Sequence, residues 1–362
     1  MKPETKKPKV LVAMSGGVDS SVAALLLKRQ GYNVIGAFMK NWSDTKNQFG
    51  ECSWKDDRQV ASKIASRLNI PLITLDFERE YRKEVIDKMF RLYRKGITPN
   101  PDIDCNNKVK FPLLRKAAKK FGAEFIATGH YIRKKDKKLL RAKDESKDQS
   151  YFLYRINKKD IAHSLFPIGE LTKKQVREIA RENKFPNFDR KSTVGICFVG
   201  KVNLKKFLQK RIKPRAGKIL DPEGKLIGLH DGIYYYTIGQ RIGPRFGIEV
   251  ERGKGQKLRR WYVASKNPKK NEIIAAPEGH PLNYRKEITI KNTHWISKKP
   301  KNNTKVLARI RQVGELLPST LLYKNGKYKI ILNQAITGIS EGQAAVLYQG
   351  KNVLGGGVIG FK

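Results

Sequence analysis

The most constraining feature of the chain is a short segment near its start, where a strand-like run, a glycine-containing loop and a helical pattern follow one another directly. The apolar run Val10–Met14 is typical of a buried strand, and the small residues Ser15–Ser20 come next. Ser20 or Ser21 could cap the helix that follows. The apolar face of that helix would consist of Val22, Ala23, Leu26 and Leu27. Backbone N–H groups at a helix N-terminus favour an anion, so the segment predicts a phosphate cradle.

Two common phosphate loops are excluded by the residues that they require. A Walker loop ends in Gly-Lys-Ser/Thr, and a dinucleotide loop needs G-x-G-x-x-G after a strand; the chain has neither. The string Ser-Gly-Gly-Val-Asp-Ser instead resembles the pyrophosphatase loop (PP-loop) of the N-type ATP pyrophosphatases. Those enzymes cleave ATP between the α and β phosphates and adenylylate a carbonyl oxygen. The alternative is an ordinary glycine-rich turn between a strand and a helix.

The charge of the chain points to a polyanionic partner. Lys and Arg number 76 against 33 Asp and Glu, which gives a formal net charge of +43. Neutralising phosphates with Lys and Arg releases counterions, and this favours nucleic acid as the partner. The basic residues are spread along the whole chain, however, so the alternative is that much of the lysine is solvated surface.

Length and composition favour two or three globular domains in a reducing cytoplasm. The 362 residues are 39% hydrophobic, without an apolar stretch of membrane-spanning length and without the apolar region of a signal peptide. The cysteines Cys52, Cys105 and Cys197 contain no C-x-x-C pair. Their spacing argues against a thiolate zinc site, and no metal site is predicted from any side-chain cluster.

The first half of the chain alternates strand-like and helical segments, which predicts an α/β fold with a doubly wound parallel sheet. The strand-like runs are 10–14, 33–39, 72–77 and 125–128, and the helical runs are 21–30, 56–68, 81–95 and 113–121. Ligands of such sheets lie beyond the carboxyl ends of the strands. The loop at 15–20, Met39 and the turn at 128–130 should therefore face one crevice.

The pattern changes after the helix predicted at 171–184, for which Thr172 and Gln175 form a capping signal. Short strand-like runs follow at 233–238, 261–264, 271–275, 287–291 and 305–311, and a last hairpin is expected at 343–360. Asn325-Gly326 is a further hairpin signal. We predict a PP-loop ATP pyrophosphatase domain at 1–205, a mostly β central domain at 206–277 and a C-terminal β-barrel at 278–362.

Two of the three cysteines lie in segments that suit reactive thiols. Two prolines fix the turn before Cys105 and deliver it to the start of a helix, where the helix terminus and a nearby lysine would favour the thiolate. Cys197 lies in the small, glycine-flanked segment 192–200. The alternative for each is a buried structural cysteine. Cys52 has no such setting and is interpreted as a bystander.

Two polar strings add candidate contacts. The string Lys147–Phe152 puts a charge and an amide next to aromatic residues, as a nucleotide-handling surface would. The alternative interpretation of this string is the exposed start of a helix, with Asp148 or Ser150 as the cap. His130 follows a strand, and its expected place in the crevice is what favours a functional role over a structural one.

Together these motifs resemble one family nearly end to end, the bacterial tRNA-specific 2-thiouridylases (MnmA family). The matching strings are AMSGGVDSSVAA, GAFMKNW, TPNPDIDCNNKVKF, ATGHYIR, KDQSYFLY, SLFPIGELTKKQVR, STVGICFVG, YTIGQR, WYV and LGGGVI. Many adenylating enzymes share the loop, but not two cysteines in these contexts. The resemblance implies an enzyme that uses ATP and Mg²⁺ to adenylylate O2 of the wobble uridine of a tRNA and then replaces that oxygen by sulfur.

The resemblance also implies a role for each matched residue. ATP would be bound by Ala13, Met14, Ser15, Gly16, Gly17, Val18, Asp19, Ser20, Met39 and Gly129, with Asp19 also catalytic. The target base would contact Asn100, Pro101 and Asp102. Cys105 would be the nucleophile, and Cys197 would carry a persulfide and later form a disulfide with Cys105. The tRNA would contact His130, Lys147, Asp148, Gln149, Arg309, Ile310 and Gln343. A persulfide-donating sulfur-relay protein would supply the sulfur.

The chain departs from the family pattern in three places. Residues 43–57 are less acidic than the pattern, Val194 interrupts the usual Ser-Thr-Gly-Ile-Cys run, and Ile310 stands where an aromatic residue is common. Two other interpretations stay open: a PP-loop synthetase that acts on a small molecule, and an RNA-binding protein that keeps a vestigial loop.

Overall fold

The computed structural model describes residues 8–43, 53–190, 203–243, 260–296 and 298–361. These residues form an α/β region, a small central sheet and a closed β-barrel, in that chain order. Among the residues described, no helix is both long and apolar enough to cross a bilayer. Cys52, Val194 and Cys197 lie outside the described residues.

The α/β region confirms the predicted parallel sheet. Its strands are β1 (Lys9–Ala13), β2 (Asn33–Lys40), β3 (Leu72–Asp76), β4 (Phe125–Ala127), β5 (Ile132–Lys135), β6 (Lys138–Arg141) and β7 (Ser164–Leu165). Five of them pair in parallel in the order β3-β2-β1-β4-β7. The chain runs from β1 outward to β3 and then returns to the other side of β1 with β4. The carboxyl ends of β1 and β4 therefore form the switch point at which such sheets bind ligands.

Helices cover both faces of this sheet. They are α1 (Val18–Arg29), α2 (Ser53–Arg67), α3 (Glu78–Tyr81), α4 (Lys88–Arg94), α5 (Pro101–Asp104), α6 (Phe111–Lys120), α7 (Ser150–Leu153), α8 (Lys158–Ala162) and α9 (Lys173–Glu182). Two π-helical segments, Arg82–Asp87 and Cys105–Lys110, join α3 to α4 and α5 to α6. Val10 and Val12 pack in the cluster that contains α1, and Leu11 packs in the cluster that contains α6. Burial on both faces explains why β1 is a continuous apolar run.

The predicted start of the first helix was wrong. Helix α1 begins at Val18 rather than at residue 21, because Gly17 is extended (φ −83°, ψ 155°) and serves as the N-cap without a side-chain hydrogen bond. Ser20 and Ser21 therefore lie within the first turn, and both hydroxyls donate to the Gly17 carbonyl at 3.0 Å.

The central region is a five-stranded sheet of mixed pairing that follows α10 (Leu204–Gln209). Its strands are β8 (Gly217–Leu220), β9 (Leu226–His230), β10 (Arg241–Ile242), β11 (Trp261–Asn267) and β12 (Glu272–Pro277). Their order is β10-β11-β12-β8-β9. The strand predicted at 233–238 was wrong: Ile233–Tyr235 is a 3-10 turn. The Tyr235 hydroxyl donates to the Ile212 carbonyl at 2.6 Å, which holds the segment against the end of α10 rather than in the sheet.

The C-terminal region is the predicted β-barrel. Its strands are β13 (Tyr284–Trp295), β14 (Thr304–Arg309), β15 (Leu317–Lys324), β16 (Lys327–Thr337), β17 (Ala344–Gln349) and β18 (Asn352–Gly360). These six antiparallel strands close through the pairing of β13 with β18. Asn325 (φ 50°) and Gly326 (φ 72°) form the predicted hairpin turn between β15 and β16.

The three regions share packed cores. One cluster contains Tyr81 and Cys105 from the α/β region together with Phe207 and Ile273 from the central region. Another contains Leu11 of β1 and Tyr348 of the barrel. The β5–β6 hairpin also extends the barrel sheet, because Leu140 pairs with Asn352 of β18. The segment that carries Cys105 is therefore packed against more than its own region.

Candidate active site

The loop between β1 and α1 is a tight backbone cradle at the switch point. Gly16 has φ +75°, and a Cβ at this position would lie 2.4 Å from the Asp57 carbonyl oxygen. The Ser15 N–H donates to the Ser20 hydroxyl at 3.2 Å. A left-handed backbone and this close contact both require glycine at position 16. The fold thus keeps the loop narrow and its N–H groups at the N-terminus of α1, as an anion-binding loop requires.

The turn after β4 comes against this loop, as the sequence predicts. A Cβ at Gly129 would lie 2.6 Å from the Ser20 nitrogen and 2.7 Å from the Asp19 carbonyl carbon. Met39 is buried near the carboxyl end of β2. The structure therefore brings Gly129 to the loop and places Met39 on the adjacent strand, while the contact of these residues with ATP stays a prediction.

Four side chains from residues 131–190 support the loop, and the sequence analysis missed them. Asn187 Nδ2 donates to the Gly16 carbonyl at 2.8 Å, and Arg190 Nη1 donates to the same oxygen at 3.4 Å. Asp19 Oδ1 accepts hydrogen bonds from Tyr131 Oη at 2.8 Å and Lys173 Nζ at 2.5 Å. These partners are far from the loop in sequence, so no local pattern could have found them.

The cysteine turn begins with a capped helical turn that contains a proline. The Asn100 side chain caps α5 by accepting from the Ile103 N–H at 3.3 Å, and Pro101 occupies the first helical turn. Cys105 lies one turn further, at the first position of a π-helical segment, and it is buried. Asp104 is also buried, and its carboxylate lies 2.7 Å from Lys88 Nζ. The structure thus places Cys105 inside the protein, in a segment without regular α-helical geometry.

Other regions of the chain hold this turn in place. Gln343 Nε2, on the barrel, donates to the Thr98 and Pro99 carbonyls at 2.9 Å each. The Thr98 N–H donates to the Glu341 carbonyl at 3.2 Å, and the Thr98 and Thr237 hydroxyls lie 3.1 Å apart. The barrel and the central region therefore both fix the backbone that carries the candidate base-binding and nucleophilic residues.

Most of the residues predicted to contact tRNA lie at the junction between the α/β region and the barrel. The buried Asp148 and Arg309 form an ion pair at 2.7 Å, and Ile310 is buried beside Arg309. Gln149 Oε1 accepts from the Tyr131 N–H at 2.9 Å. The alternative of an exposed helix start was wrong, because Asp148 and Ser150 are buried and the N-cap is Gln149.

Two other residues predicted to contact tRNA differ in exposure. Lys147 is exposed. His130 is buried, stacked on Phe111 with ring centroids 5.9 Å apart, and bonded to the Thr128 hydroxyl at 2.8 Å. Burial, aided by the charge of Lys110, lowers the pKa of His130 well below its usual range. The imidazole is therefore neutral at pH 7 and serves the packing behind the β4 turn in this conformation.

A buried asparagine at the end of β2 also escaped the sequence analysis. Asn41 is 1% exposed, and neither polar atom of its amide has a hydrogen-bond partner among the residues that the structure describes. The indole nitrogen of the adjacent Trp42 is likewise unpartnered within those residues. Because an unpaired buried amide is costly, such a group at the carboxyl edge of the sheet marks a place where a ligand could supply the partner.

The described residues contain no group of three or more His, Cys, Asp or Glu side chains that could hold a metal ion. Asp19 is the carboxylate of the loop itself, at the first turn of α1. Mg²⁺ is usually bound through one or two carboxylates together with substrate phosphates and water. A single loop carboxylate therefore fits an ion that arrives with a nucleotide better than a resident metal site.

Comparisons with known proteins agree with this geometry. Three family models match consecutive parts of the chain: "tRNA methyl transferase HUP domain" over residues 8–201, "tRNA methyl transferase PRC-barrel domain" over 205–277 and "Aminomethyltransferase beta-barrel domain" over 285–359. The parallel sheet, the loop at its switch point and the C-terminal barrel define a PP-loop protein of the HUP class with appended β domains.

Full-length relatives identify the family within that class. A tRNA-specific 2-thiouridylase MnmA of Nitrosomonas europaea is 41% identical over 361 residues and covers 98% of each chain. Another, of Coxiella burnetii (strain Dugway 5J108-111), is 41% identical over 360 residues and covers 97% of each chain. The chain belongs to the tRNA-specific 2-thiouridylase (MnmA) family. Among solved structures, a 4-thiouridine synthetase–RNA complex with bound ATP is 18% identical, with a TM-score of 0.35 over 56% of this chain and 50% of the other.

Proposed function

We propose that this protein is an ATP-dependent tRNA sulfurtransferase that converts the wobble uridine of tRNA to 2-thiouridine. The observation that carries the proposal is that the cysteine turn packs against the carboxyl end of β2, the strand next to the one that leads into the phosphate loop. Met39, at the carboxyl end of β2, shares a packed cluster with Ile103 of the cysteine turn, and Trp42 shares another with Cys105. A base that reaches the turn would therefore lie near a nucleotide bound at this edge of the sheet.

The chemistry gives the loop its role. A uridine C2 carbonyl has no usable leaving group, so O2 first attacks the α-phosphorus of ATP and pyrophosphate leaves. The loop N–H groups would donate to the negative charge that develops on that leaving group, and fixed donors of this kind stabilise a transition state without reorganisation. Mg²⁺, for which Asp19 is the candidate protein ligand, would neutralise further charge on the phosphates. AMP then becomes the leaving group at C2.

The two cysteines supply sulfur at the oxidation level of sulfide. Cys197 carries a persulfide, and the Cys105 thiolate attacks its inner sulfur, so that a Cys105–Cys197 disulfide forms and hydrosulfide leaves. Hydrosulfide attacks C2 and expels AMP, which leaves sulfur where oxygen was. The two cysteines provide the two electrons that reduce the persulfide sulfur, and a thiol reductant later regenerates them. Cα atoms within about 4.4–6.8 Å are required for that disulfide.

The partners follow from this reaction. The net charge of +43 suits a tRNA, whose anticodon loop must open because the reacting edge of the base is otherwise stacked. Residues 147–149 are proposed to contact the tRNA, and Lys147 is the exposed one of these three. Asn100, Pro101 and Asp102 are proposed to contact the target base. A persulfide-donating relay protein would reload Cys197, and the cytoplasm is the compartment where these partners would meet.

A set of cysteine substitutions tests the proposal. We expect Cys105→Ser and Cys197→Ser each to abolish 2-thiouridine formation, because each removes a sulfur atom that the reaction needs. Cys52→Ser, the matched control, should retain it. Mass spectrometry of nucleosides from digested tRNA measures the product. Persistent 2-thiouridine in either of the first two variants would overturn the mechanism.

The same preparations separate the two competing interpretations. Pyrophosphate exchange into ATP that depends on tRNA supports adenylylation of tRNA, and it should survive both cysteine substitutions. Exchange that depends on a small acid and ignores tRNA would favour a small-molecule synthetase. Undiminished cellular 2-thiouridine after Asp19→Ala would favour an RNA-binding protein with a vestigial loop.

A further inference from the structure

The phosphate loop has no cation of its own. Residues Ser15–Ser20 contain one charged side chain, the carboxylate of Asp19. A Walker loop carries a lysine that reaches the phosphates, and cleavage of ATP to release pyrophosphate needs a comparable positive charge on the leaving group. Besides the Mg²⁺ that a nucleotide brings, a protein cation for this loop would have to come from elsewhere in the fold.

The structure brings one such cation to the loop from α9. Lys173 Nζ lies 2.5 Å from Asp19 Oδ1, although the two residues are 154 positions apart. The Lys173 side chain is 13% exposed and that of Asp19 is 30% exposed, so the pair sits at the mouth of the cradle rather than on open surface.

Three features hold the backbone and the ammonium group of Lys173 in place. Lys173 is the first residue of α9, directly after Thr172, which forms a complete capping box with Gln175. The Lys173 N–H donates to Asp144 Oδ2 at 2.9 Å. The Lys173 ammonium also lies 5.8 Å from the centre of the Tyr131 ring, within cation–π range. The backbone of Lys173 is thus fixed, and its ammonium group is held near both Asp19 and the Tyr131 ring.

Asp19 keeps a second partner if Lys173 moves away. Tyr131 Oη donates to the same Asp19 oxygen at 2.8 Å. Burial, and then the charge of Asp19, raises the pKa of Tyr131, so its hydroxyl stays a donor at physiological pH. A polyphosphate that enters the cradle would carry several negative charges against the single charge of Asp19, and it would compete for the ammonium group.

We propose that Lys173 is the pyrophosphate-binding residue of this loop: it leaves Asp19 for the β and γ phosphates of ATP, and Tyr131 alone then orients the Asp19 carboxylate. This inference rests on the proposed use of ATP and adds the residue that stabilises the leaving group. Lys173 thereby takes the place of the lysine that a Walker loop carries within its own sequence.

Nucleotide binding by the full-length protein tests this role without tRNA. We expect Lys173→Gln to weaken binding of α,β-methylene-ATP by at least about tenfold, the loss typical of one charge-assisted hydrogen bond, and to change AMP binding by less than about twofold. Lys173→Arg should recover part of the affinity, because it restores the charge. Lys174→Gln is the matched control, since Lys174 is exposed and one residue further along the same helix. Calorimetric titration in Mg²⁺ buffer measures all of these affinities.

The comparison of the two ligands decides the outcome. An equal loss for α,β-methylene-ATP and AMP would mean that Lys173 supports the loop structurally, and this would overturn the proposal. Affinities unchanged by Lys173→Gln would overturn it as well. Failure of the proposed function looks different: wild-type protein would then bind the analogue in a Lys173-dependent way but would not thiolate tRNA.

Discussion

The two candidate reactive segments, the phosphate loop at 15–20 and the cysteine turn at 98–105, differ in what holds them. Every described contact of the loop comes from within the α/β region, including Asn187, Arg190 and Lys173. The turn is held by Gln343 of the barrel and Thr237 of the central region.

This difference indicates that adenylation and sulfur transfer depend on the fold in different ways. A loop that is supported by the α/β region alone can bind a nucleotide even if the barrel is displaced. A cysteine turn whose carbonyls accept hydrogen bonds from the barrel takes its geometry only when all three regions are docked. Adenylation chemistry should therefore tolerate disturbance of the domain junction, whereas positioning of the base and of Cys105 should not. Errors of about 1 Å in such positioning can cost about 100-fold in rate.

Two glycine substitutions should disturb the loop and the cysteine turn separately, with the largest effects that we expect. An alanine Cβ at Gly16 would lie 2.4 Å from the Asp57 carbonyl oxygen, and one at Gly342 would lie 2.4 Å from Ile97 Cγ2 and 2.8 Å from the Thr98 carbonyl oxygen. Gly16→Ala should abolish binding of α,β-methylene-ATP and, with it, thiolation. Gly342→Ala should retain nucleotide binding and lower the rate of thiolation by about 100-fold.

The matched control for both is Gly326→Ala. Gly326 also has a positive φ, of 72°, but a Cβ there would have no atom within 4 Å. Its cost should be limited to about 1 kcal/mol of backbone strain, with both activities unchanged. Loss of nucleotide binding in Gly342→Ala would show that the loop depends on the barrel after all.

The loop and the sheet could be predicted because their signals are local. The apolar run of β1, the residues of the loop and the capping box at Thr172 and Gln175 each occupy a few consecutive positions, and all appear where the sequence puts them. The Asn325-Gly326 turn is of the same kind. The start of α1 was wrong because the extended backbone of Gly17 competes with two serines that could also have capped the helix.

The supports of the site could not be predicted, because they join distant residues. No local pattern ties Lys173 to Asp19, and the π-helical segment at Cys105–Lys110 has no sequence signature that distinguishes it from an α-helix. Asp148 and Arg309 were identified through family resemblance as tRNA contacts, and that role stays a prediction. Their partnership with each other, 161 residues apart, became visible only in the folded chain.

The buried Asp148–Arg309 pair tests the docking of the barrel on the α/β region through protein stability. The two side chains are 0% and 6% exposed and join the α/β region to the barrel at 2.7 Å. Arg309→Met should lower the free energy of unfolding by about 3 kcal/mol, because it leaves a buried carboxylate without its main counter-charge. Urea unfolding measures this loss, and nucleotide binding should persist in the folded variant.

A surface pair in the same barrel provides the control for that measurement. Lys329 and Glu287 also form an ion pair, with side chains that are 38% and 53% exposed. Lys329→Met should cost less than about 1 kcal/mol, because water screens an exposed pair. If both substitutions cost the same, the Asp148–Arg309 pair does not dock the two regions, and the contrast between the locally held loop and the jointly held turn loses this support.

The smallest expected effect concerns Lys266, which lies beside the contact between the central region and the cysteine turn. Lys266 Nζ donates to the Tyr236 carbonyl at 2.7 Å, next to the Thr237 hydroxyl that meets Thr98. Burial lowers the pKa of Lys266 to about 8, against the opposing influence of Glu341. The unfolded chain keeps the Lys266 proton up to about pH 10.4, whereas the folded protein releases it near pH 8. Stability contributed by Lys266 should therefore rise with pH between these two values.

The expected slope is at most about 1.4 kcal/mol per pH unit, the limit for release of one proton. Urea unfolding of the wild type and Lys266→Met at pH 7, 8, 9 and 10 measures it as the difference between the two free energies. The exposed Lys269→Met is the charge-matched control, and the two slopes are compared. If the difference in free energy of unfolding between the wild type and Lys266→Met is constant over this range, the Lys266 ammonium group stays hydrated in the folded protein. The central region would then meet the cysteine turn through an open, hydrated contact rather than a packed one.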